Sequence, residues 1–74
     1  YSQALQWYRK AAEAGDAVAM NSMGVLLENG YGVKRDLVEA ENWYKKAWAT
    51  GHEEAERSLN RVRKILFRED RKGF

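Results

Sequence analysis

Four basic residues near the end of the chain are spaced to share one face of a helix. They form a basic stripe of Arg57, Arg61, Lys64 and Arg68. Clustered Lys and Arg residues can bind the phosphates of a nucleic acid or the carboxylates of an acidic partner. No aromatic residue interleaves this face, however, as single-strand binders require for base stacking. Glu53, Glu54 and Glu56 precede the stripe, an order that suits the helix dipole, so we favour a solvated helix face.

The other residues that could do chemistry form no catalytic set. His52 is the one histidine and has no serine or cysteine partner in a recognisable motif. Glu53 and Glu54 are adjacent, so on a helix they point in different directions and cannot share a proton. Residues 30–32 (Gly-Tyr-Gly) lack the Lys-Ser/Thr of a phosphate-binding loop. With no cysteine in the chain, a thiolate metal site is excluded. We therefore expect a protein that is not an enzyme and has no cofactor or metal.

Length and charge restrict the class of protein further. A chain of 74 residues forms one small domain with a thin stability margin. Residues 1–56 carry six Lys/Arg against nine Asp/Glu, whereas residues 57–74 carry seven against two. No apolar run approaches the roughly 20 residues of a membrane-spanning helix, and the cellular compartment stays open. Because the chain starts with Tyr1 inside a predicted helix, we expect it to be a piece of something longer.

The sequence repeats itself with a period of 36 residues. A shift by that period aligns Ala4 with Ala40, Trp7 with Trp43, Tyr8 with Tyr44, Lys10 with Lys46, Ala11 with Ala47, Gly15 with Gly51, Ala19 with Ala55 and Ser22 with Ser58. A repeat of this length is typical of proteins built from stacked supersecondary units.

Each copy is predicted to be a helical hairpin, because its breaks fall at glycines. The predicted helices lie near 2–14, 17–29, 37–50 and 53–68. Asp16 and Asp36 are expected to cap the second and third helices, Asp36 with Glu39 as its capping-box partner. In the first helix of each copy, alanines and aromatics at i, i+3, i+4 and i+7 form an apolar stripe. Trp7 and Trp43 are thus expected in one core seam between side-by-side helices, and Gly24 is expected at a close backbone contact.

Three motifs stand out in the first copy: Trp7-Tyr8-x-Lys10-Ala11-Ala12-x-x-Gly15, Ala19-x-x-x-Met23-Gly24 and Gly30-Tyr31-Gly32-Val33-x-x-Asp36. With these motifs the sequence resembles the Sel-one-like repeat (SLR) family, a branch of the tetratricopeptide-like superfamily. The resemblance implies an all-α superhelix, or solenoid, of two hairpins, with repeats at 1–36 (loop 30–36) and 37–74. The second copy departs from the pattern: Trp48 replaces the second alanine, Asn60 replaces a glycine, and no glycine-rich loop follows Leu66. These departures imply that residues 53–74 close the solenoid with a polar helix.

The resemblance also implies a scaffold or adaptor that binds a protein or peptide on a concave face lined by the first helices. There we expect two polar rungs one repeat apart: a first rung of Gln3, Gln6, Lys10 and Glu13, and a second rung of Glu39, Asn42, Lys46 and Ala49. Side chains of these types also describe an ordinary solvated helix face. Trp48 is either an exposed binding anchor or packed under the closing helix or the Phe67/Phe74 tail; we favour packing.

Two further interactions are predicted. Two repeats bury a small core, so the apolar face that precedes Tyr1 is expected to drive self-association or end-to-end stacking. The alternative function is binding of nucleic acid or an acidic partner through the basic stripe.

Overall fold

The chain folds into four α-helices joined by short turns, which confirms the all-α class. The computed structural model describes the backbone of residues 2–72 and the side chains of residues 3–69. The helices are α1 (Ser2–Glu13), α2 (Ala17–Asn29), α3 (Leu37–Ala49) and α4 (Glu54–Lys72), and this described part contains no strand. The described helices form a slab of 39 × 26 × 14 Å.

Local sequence accounts for where α2 and α3 begin. Asp16 precedes α2 and its carboxylate accepts hydrogen bonds from the backbone N–H groups of Val18 (2.9 Å) and Ala19 (3.2 Å). Asp36 precedes α3 and accepts in the same way from the N–H of Glu39 at 3.0 Å. These bonds satisfy N–H groups that the first helical turn leaves unpaired. Both predicted N-caps are confirmed. The capping-box role predicted for Glu39 is wrong, because the backbone N–H of Asp36 donates to the carbonyl of Leu27 at 2.9 Å.

Helices α2 and α4 differ in length because only α2 meets a glycine at the corresponding position of the repeat. Gly30 follows α2 in the left-handed conformation with φ 73°, and its N–H bonds back to the carbonyl of Leu26, a conformation that favours glycine. The position one repeat later is Leu66, a good helix former. The fourth helix was predicted to end near 68, which is wrong: it continues to Lys72, because neither glycine nor proline interrupts it.

The core draws on all four helices, and α3 contributes more of its residues than any other helix. Its members are Ala12, Ala19, Met20, Met23, Leu27, Leu37, Ala40, Trp43, Tyr44, Ala47, Ala55, Leu59 and Val62. At its centre the ring of Tyr44 lies directly on the backbone of α2 at Gly24. A Cβ atom on Gly24 would lie 2.5 Å from Cε1 of Tyr44, which no normal contact allows. The predicted close contact at Gly24 is confirmed.

The predicted aromatic seam is only half correct. Trp43 lies in the core with 9% of its surface exposed, whereas Trp7 is 67% exposed, so the expectation that Trp7 is buried is wrong. No extensive contact joins α1 to α3, so the two helices share no aromatic seam. Extensive contacts join consecutive helices, and α2 packs against both α1 and α3. Trp43 is therefore covered by neighbours that the equivalent face of α1 lacks.

Candidate protein-binding surface

The two rungs lie at the surface of α1 and α3. All residues of the first rung are exposed, and in the second rung Asn42, Lys46 and Ala49 are exposed while Glu39 is half-buried. This placement follows from the helical period, because the apolar residues at i, i+3, i+4 and i+7 occupy the other side of each helix. The structure thus leaves these polar groups accessible, and their role in binding stays a prediction.

Within the second rung, Lys46 is held by an aromatic neighbour. Its ammonium nitrogen lies 4.9 Å from the centroid of the Trp43 ring, a distance typical of a cation–π contact. The ring is anchored in the core, so it gives the flexible lysine stem a preferred position. A cation held in place loses less side-chain entropy when it binds a partner.

Trp48 is not packed under α4, so the favoured interpretation of this residue is wrong. The position one repeat earlier is Ala12, which is 1% exposed between α1 and α2. An indole is too large for such a slot, and Trp48 is 48% exposed. Its ring lines an open depression of about 540 Å³ with Glu53, Glu54, Glu56 and Arg57. Phe67 does not line this depression, and Phe74 lies outside the described residues.

One member of the basic stripe is paired with a carboxylate of another helix, although its side chain is 52% exposed. Arg61 donates from Nε to Oε2 of Glu28 at 2.7 Å and from Nη2 to Oε1 at 2.8 Å. The hydroxyl of Tyr44 donates to Oε1 of the same carboxylate at 2.8 Å. This two-pronged guanidinium pair is a strong type of ion pair. The cluster joins α2, α3 and α4, and Arg61 is consequently less available to an external anion.

The electrostatics of this cluster are those of a structural clamp. The hydrogen bonds from Arg61 hold the pKa of the Glu28 carboxyl below its usual value, against the opposing effect of burial. Burial, together with the neighbouring Glu28, raises the pKa of Tyr44 well above its usual value of 10.0. At neutral pH Tyr44 is thus a hydrogen-bond donor, and it is a poor proton acceptor or nucleophile. The sequence carried no motif for this cluster, since its members come from separate helices.

The rest of the basic surface is mixed in sign. Arg63, next to the stripe, forms a 3.1 Å ion pair with Glu41 of α3. Arg57, Lys64 and Arg68 are exposed.

His52 is half-buried in the turn before α4, with Nε2 4.0 Å from a carboxylate oxygen of Glu54. Among residues 3–69 no group of three or more His, Cys, Asp or Glu side chains is placed to hold a metal ion. None of the described helices has the length and apolar character needed to cross a membrane.

The first three helices match a known protein family. A family model described as "Sel1 repeat" matches residues 1–16 and 17–51. The first match ends in the turn between α1 and α2, and the second spans α2 and α3 as a unit. The two departures at Asn60 and after Leu66 lie beyond the matched ranges. The division of the chain into 1–36 and 37–74 stays a prediction.

About two in five of the aligned residues are identical between this chain and its curated relatives. The chain is 42% identical over 59 residues to "Chitin synthase regulator SKT5" of Malassezia restricta, covering 80% of this chain and 4% of that protein. It is 40% identical over 57 residues to "Chitin synthase regulatory factor 3" of Schizosaccharomyces pombe, covering 77% and 6%. It is 38% identical over 57 residues to "DAP3-binding cell death enhancer 1" of Rattus norvegicus, covering 77% and 11%. The chain thus spans a small fraction of each relative, and no solved structure matches it significantly.

Proposed function

Because the chain belongs to the Sel1 repeat family, we propose that it is a non-catalytic scaffold module whose two polar rungs hold a segment of a partner protein. Sel1 repeats generally mediate protein–protein interaction. The observation that carries the proposal is the exposure of polar side chains at repeated positions of α1 and α3. Polar groups repeated at a fixed spacing suit an extended peptide, which offers hydrogen-bonding groups at regular intervals.

The rungs carry two lysines and two glutamates, so their net charge is zero, and it is the lysines that would bind carboxylates or backbone carbonyls of a partner segment. Lys10 and Lys46 occupy the same position in the two copies, and Lys46 is positioned by the Trp43 ring. An ammonium group is a donor to carboxylates and to backbone carbonyls. The names of the relatives describe regulators and a binding protein, and we extend to this chain only the general role of an adaptor.

The decisive experiment compares two pairs of lysines of equal charge. Lys10→Ala with Lys46→Ala removes one cation from each rung. Lys34→Ala with Lys64→Ala removes two exposed lysines outside α1 and α3. A partner protein that the unaltered chain captures is titrated against each variant by isothermal titration calorimetry. We expect the rung pair to weaken binding by about tenfold or more, and the control pair to leave it nearly unchanged. Equal effects of both pairs, or unchanged affinity of the rung pair, would remove the rungs from the interface.

Binding of nucleic acid through the basic stripe is not proposed as the function. The main argument for it is that four cations share one helix face. One of them, Arg61, is paired with Glu28, so only three remain for an external anion. Self-association through the face of α1 that carries the exposed Trp7 stays a prediction.

A further inference from the structure

The outer side of α4 differs in chemistry from the side of α2 that meets α3. Helix α2 meets α3 and its cap through an apolar residue, a glycine and a carboxylate, which are Met20, Gly24 and Glu28. The positions one repeat later carry two charged side chains and an amide, all exposed: Glu56, Asn60 and Lys64. A charged side without the glycine cannot take a further helix in the way that α2 takes α3, because unpaired charges would be buried. The outer side of α4 therefore suits a different kind of contact.

The beginning of α4 has an acidic surface beside a tryptophan. Trp48 is 48% exposed and lines the depression of about 540 Å³ together with three glutamates and one arginine, which are Glu53, Glu54, Glu56 and Arg57. We call these five residues the acidic end of α4. An indole bordered by carboxylates attracts a cation twice, through the ring face and through the negative charge. The acidic end is thus suited to a basic side chain.

The opposite end of the same helix carries the opposite charge around an exposed aromatic ring. Phe67 is 62% exposed, and it lines a second depression, of about 420 Å³, with Asn60, Arg63, Lys64 and Arg68. Part of the charge of Arg63 is neutralised by its ion pair with Glu41. We call Lys64, Phe67 and Arg68 the basic end of α4. An apolar ring flanked by cations is complementary in charge and in polarity to the acidic end.

Both ends lie on one side of α4, so two copies of the chain can pair them. The buried residues Ala55, Leu59 and Val62 occupy the inner side of the helix, which leaves the two ends on the outer side. Between residues 55 and 67 the helix rises about 18 Å. When two such helices pack antiparallel about a two-fold axis, the acidic end of each copy lies against the basic end of the other. A parallel arrangement would instead bring like charges together.

The middle of α4 permits this approach. Asn60 is exposed and neutral. Arg61 would otherwise meet its own counterpart near the axis, but its guanidinium is paired with Glu28 of its own chain. Arg57 of each copy would lie near Lys64 of the other, and the three glutamates of the acidic end outweigh that repulsion in charge.

We propose that the outer side of α4 is a dimer interface between two copies of this chain, in which Phe67 and Arg68 of each copy lie in the acidic end of the other. The Phe67 ring would pack against the Trp48 indole, and the Arg68 guanidinium would pair with the carboxylate of Glu54. The proposal does not depend on the polar rungs, which lie on α1 and α3. A dimer of this kind would carry two sets of rungs, so a partner with two binding segments would gain avidity.

The experiment is a charge swap followed by sedimentation velocity over a range of protein concentrations. Arg68→Glu and Glu54→Arg each place like charges in both contacts of a homodimer. When the two variants are mixed in equal amounts, opposite charges meet again in both contacts of the heterodimer. Lys34→Glu is the matched control for charge reversal, because Lys34 is exposed between α2 and α3. Circular dichroism checks that every variant is helical, and Glu53→Arg replaces Glu54→Arg if the latter does not fold.

We expect the unaltered chain and Lys34→Glu to dimerise with equal affinity, each swap alone to weaken dimerisation by about tenfold or more, and the mixture to regain it. Phe67→Ala should weaken dimerisation by about tenfold, and added salt should weaken it too, because exposed charges are screened. Trp7→Ala should leave it unchanged. An unaltered chain that is monomeric at millimolar concentration overturns the proposal, and so does a folded mixture that stays monomeric. Association that Trp7→Ala abolishes overturns it as well, because the contact would then lie on α1.

Discussion

Replacement of Gly24 by alanine is expected to destabilise the fold, although alanine is the better helix former. In a helix interior alanine is favoured over glycine by about 1 kcal/mol. Against this, the added Cβ would lie 2.5, 2.6 and 2.8 Å from the Cε1, Cδ1 and Cζ atoms of Tyr44. Contacts this short cannot persist, so the ring or helix α2 must move.

The geometry around Tyr44 sets the magnitude. The ring is fully buried at 0% exposure and its hydroxyl is bonded to Glu28 at 2.8 Å, so it has no free space to move into. Overpacking of a core typically costs about 1–3 kcal/mol, and the strained hydrogen bond adds about 1 kcal/mol. After the gain in helix propensity, we expect a net loss of about 2 kcal/mol, which for a chain of this size lowers the melting temperature by roughly 10 °C.

The assay is urea and thermal unfolding followed by far-ultraviolet circular dichroism. Asn60→Ala is the matched control, because it places alanine at the equivalent position of α4, where the side chain is exposed; it should leave stability unchanged or slightly raised. Tyr44→Leu provides a double-mutant cycle, which isolates the pairwise term. The cost of Gly24→Ala should shrink or change sign once the ring is gone. If Gly24→Ala is as stable as the unaltered chain, or costs the same in the Tyr44→Leu background, the argument from close packing is refuted.

Two further changes test the core and the clamp. Trp43→Leu should cost about 2 kcal/mol in urea unfolding and Trp7→Leu under about 1 kcal/mol, because Trp43 is 9% and Trp7 67% exposed; equal losses would mean that burial does not decide the effect. The lowered pKa of Glu28 implies stability that is present above its ordinary value of 4.5 and is lost as pH falls through the lower value of the folded state. Urea midpoints measured from neutral to acid pH should thus fall less steeply in Glu28→Gln than in the unaltered chain, and parallel curves would show that the ion pair contributes nothing.

Several features of the structure could be predicted from the sequence because they depend on residues close together in the chain. The repeat of the Trp-Tyr-x-Lys-Ala motif indicated paired helices, and glycines marked most of their ends. Asp16 and Asp36 were identified as caps because a capping bond spans only two or three residues. Gly24 was identified because a glycine within an apolar helix needs a packing reason.

The candidate surface was predicted less completely. The helical period was enough to place the rungs at the surface. Trp48 was predicted to be packed because of its residue type. Its equivalent in the first copy, Ala12, fills a narrow space between helices, and an indole is too large for such a space, so Trp48 is exposed. The extension of α4 to Lys72 was missed because basic residues were taken as the end of the helix.

By itself the sequence determined the family, the helices and the pattern of apolar and polar faces, since each is a property of local spacing. Only the tertiary structure decided which faces are covered. Trp7 and Trp43 stand in the same motif, but one is exposed and the other buried, because burial depends on whether another helix lies alongside. The clamp of Glu28, Tyr44 and Arg61 likewise exists only once separate helices are packed together.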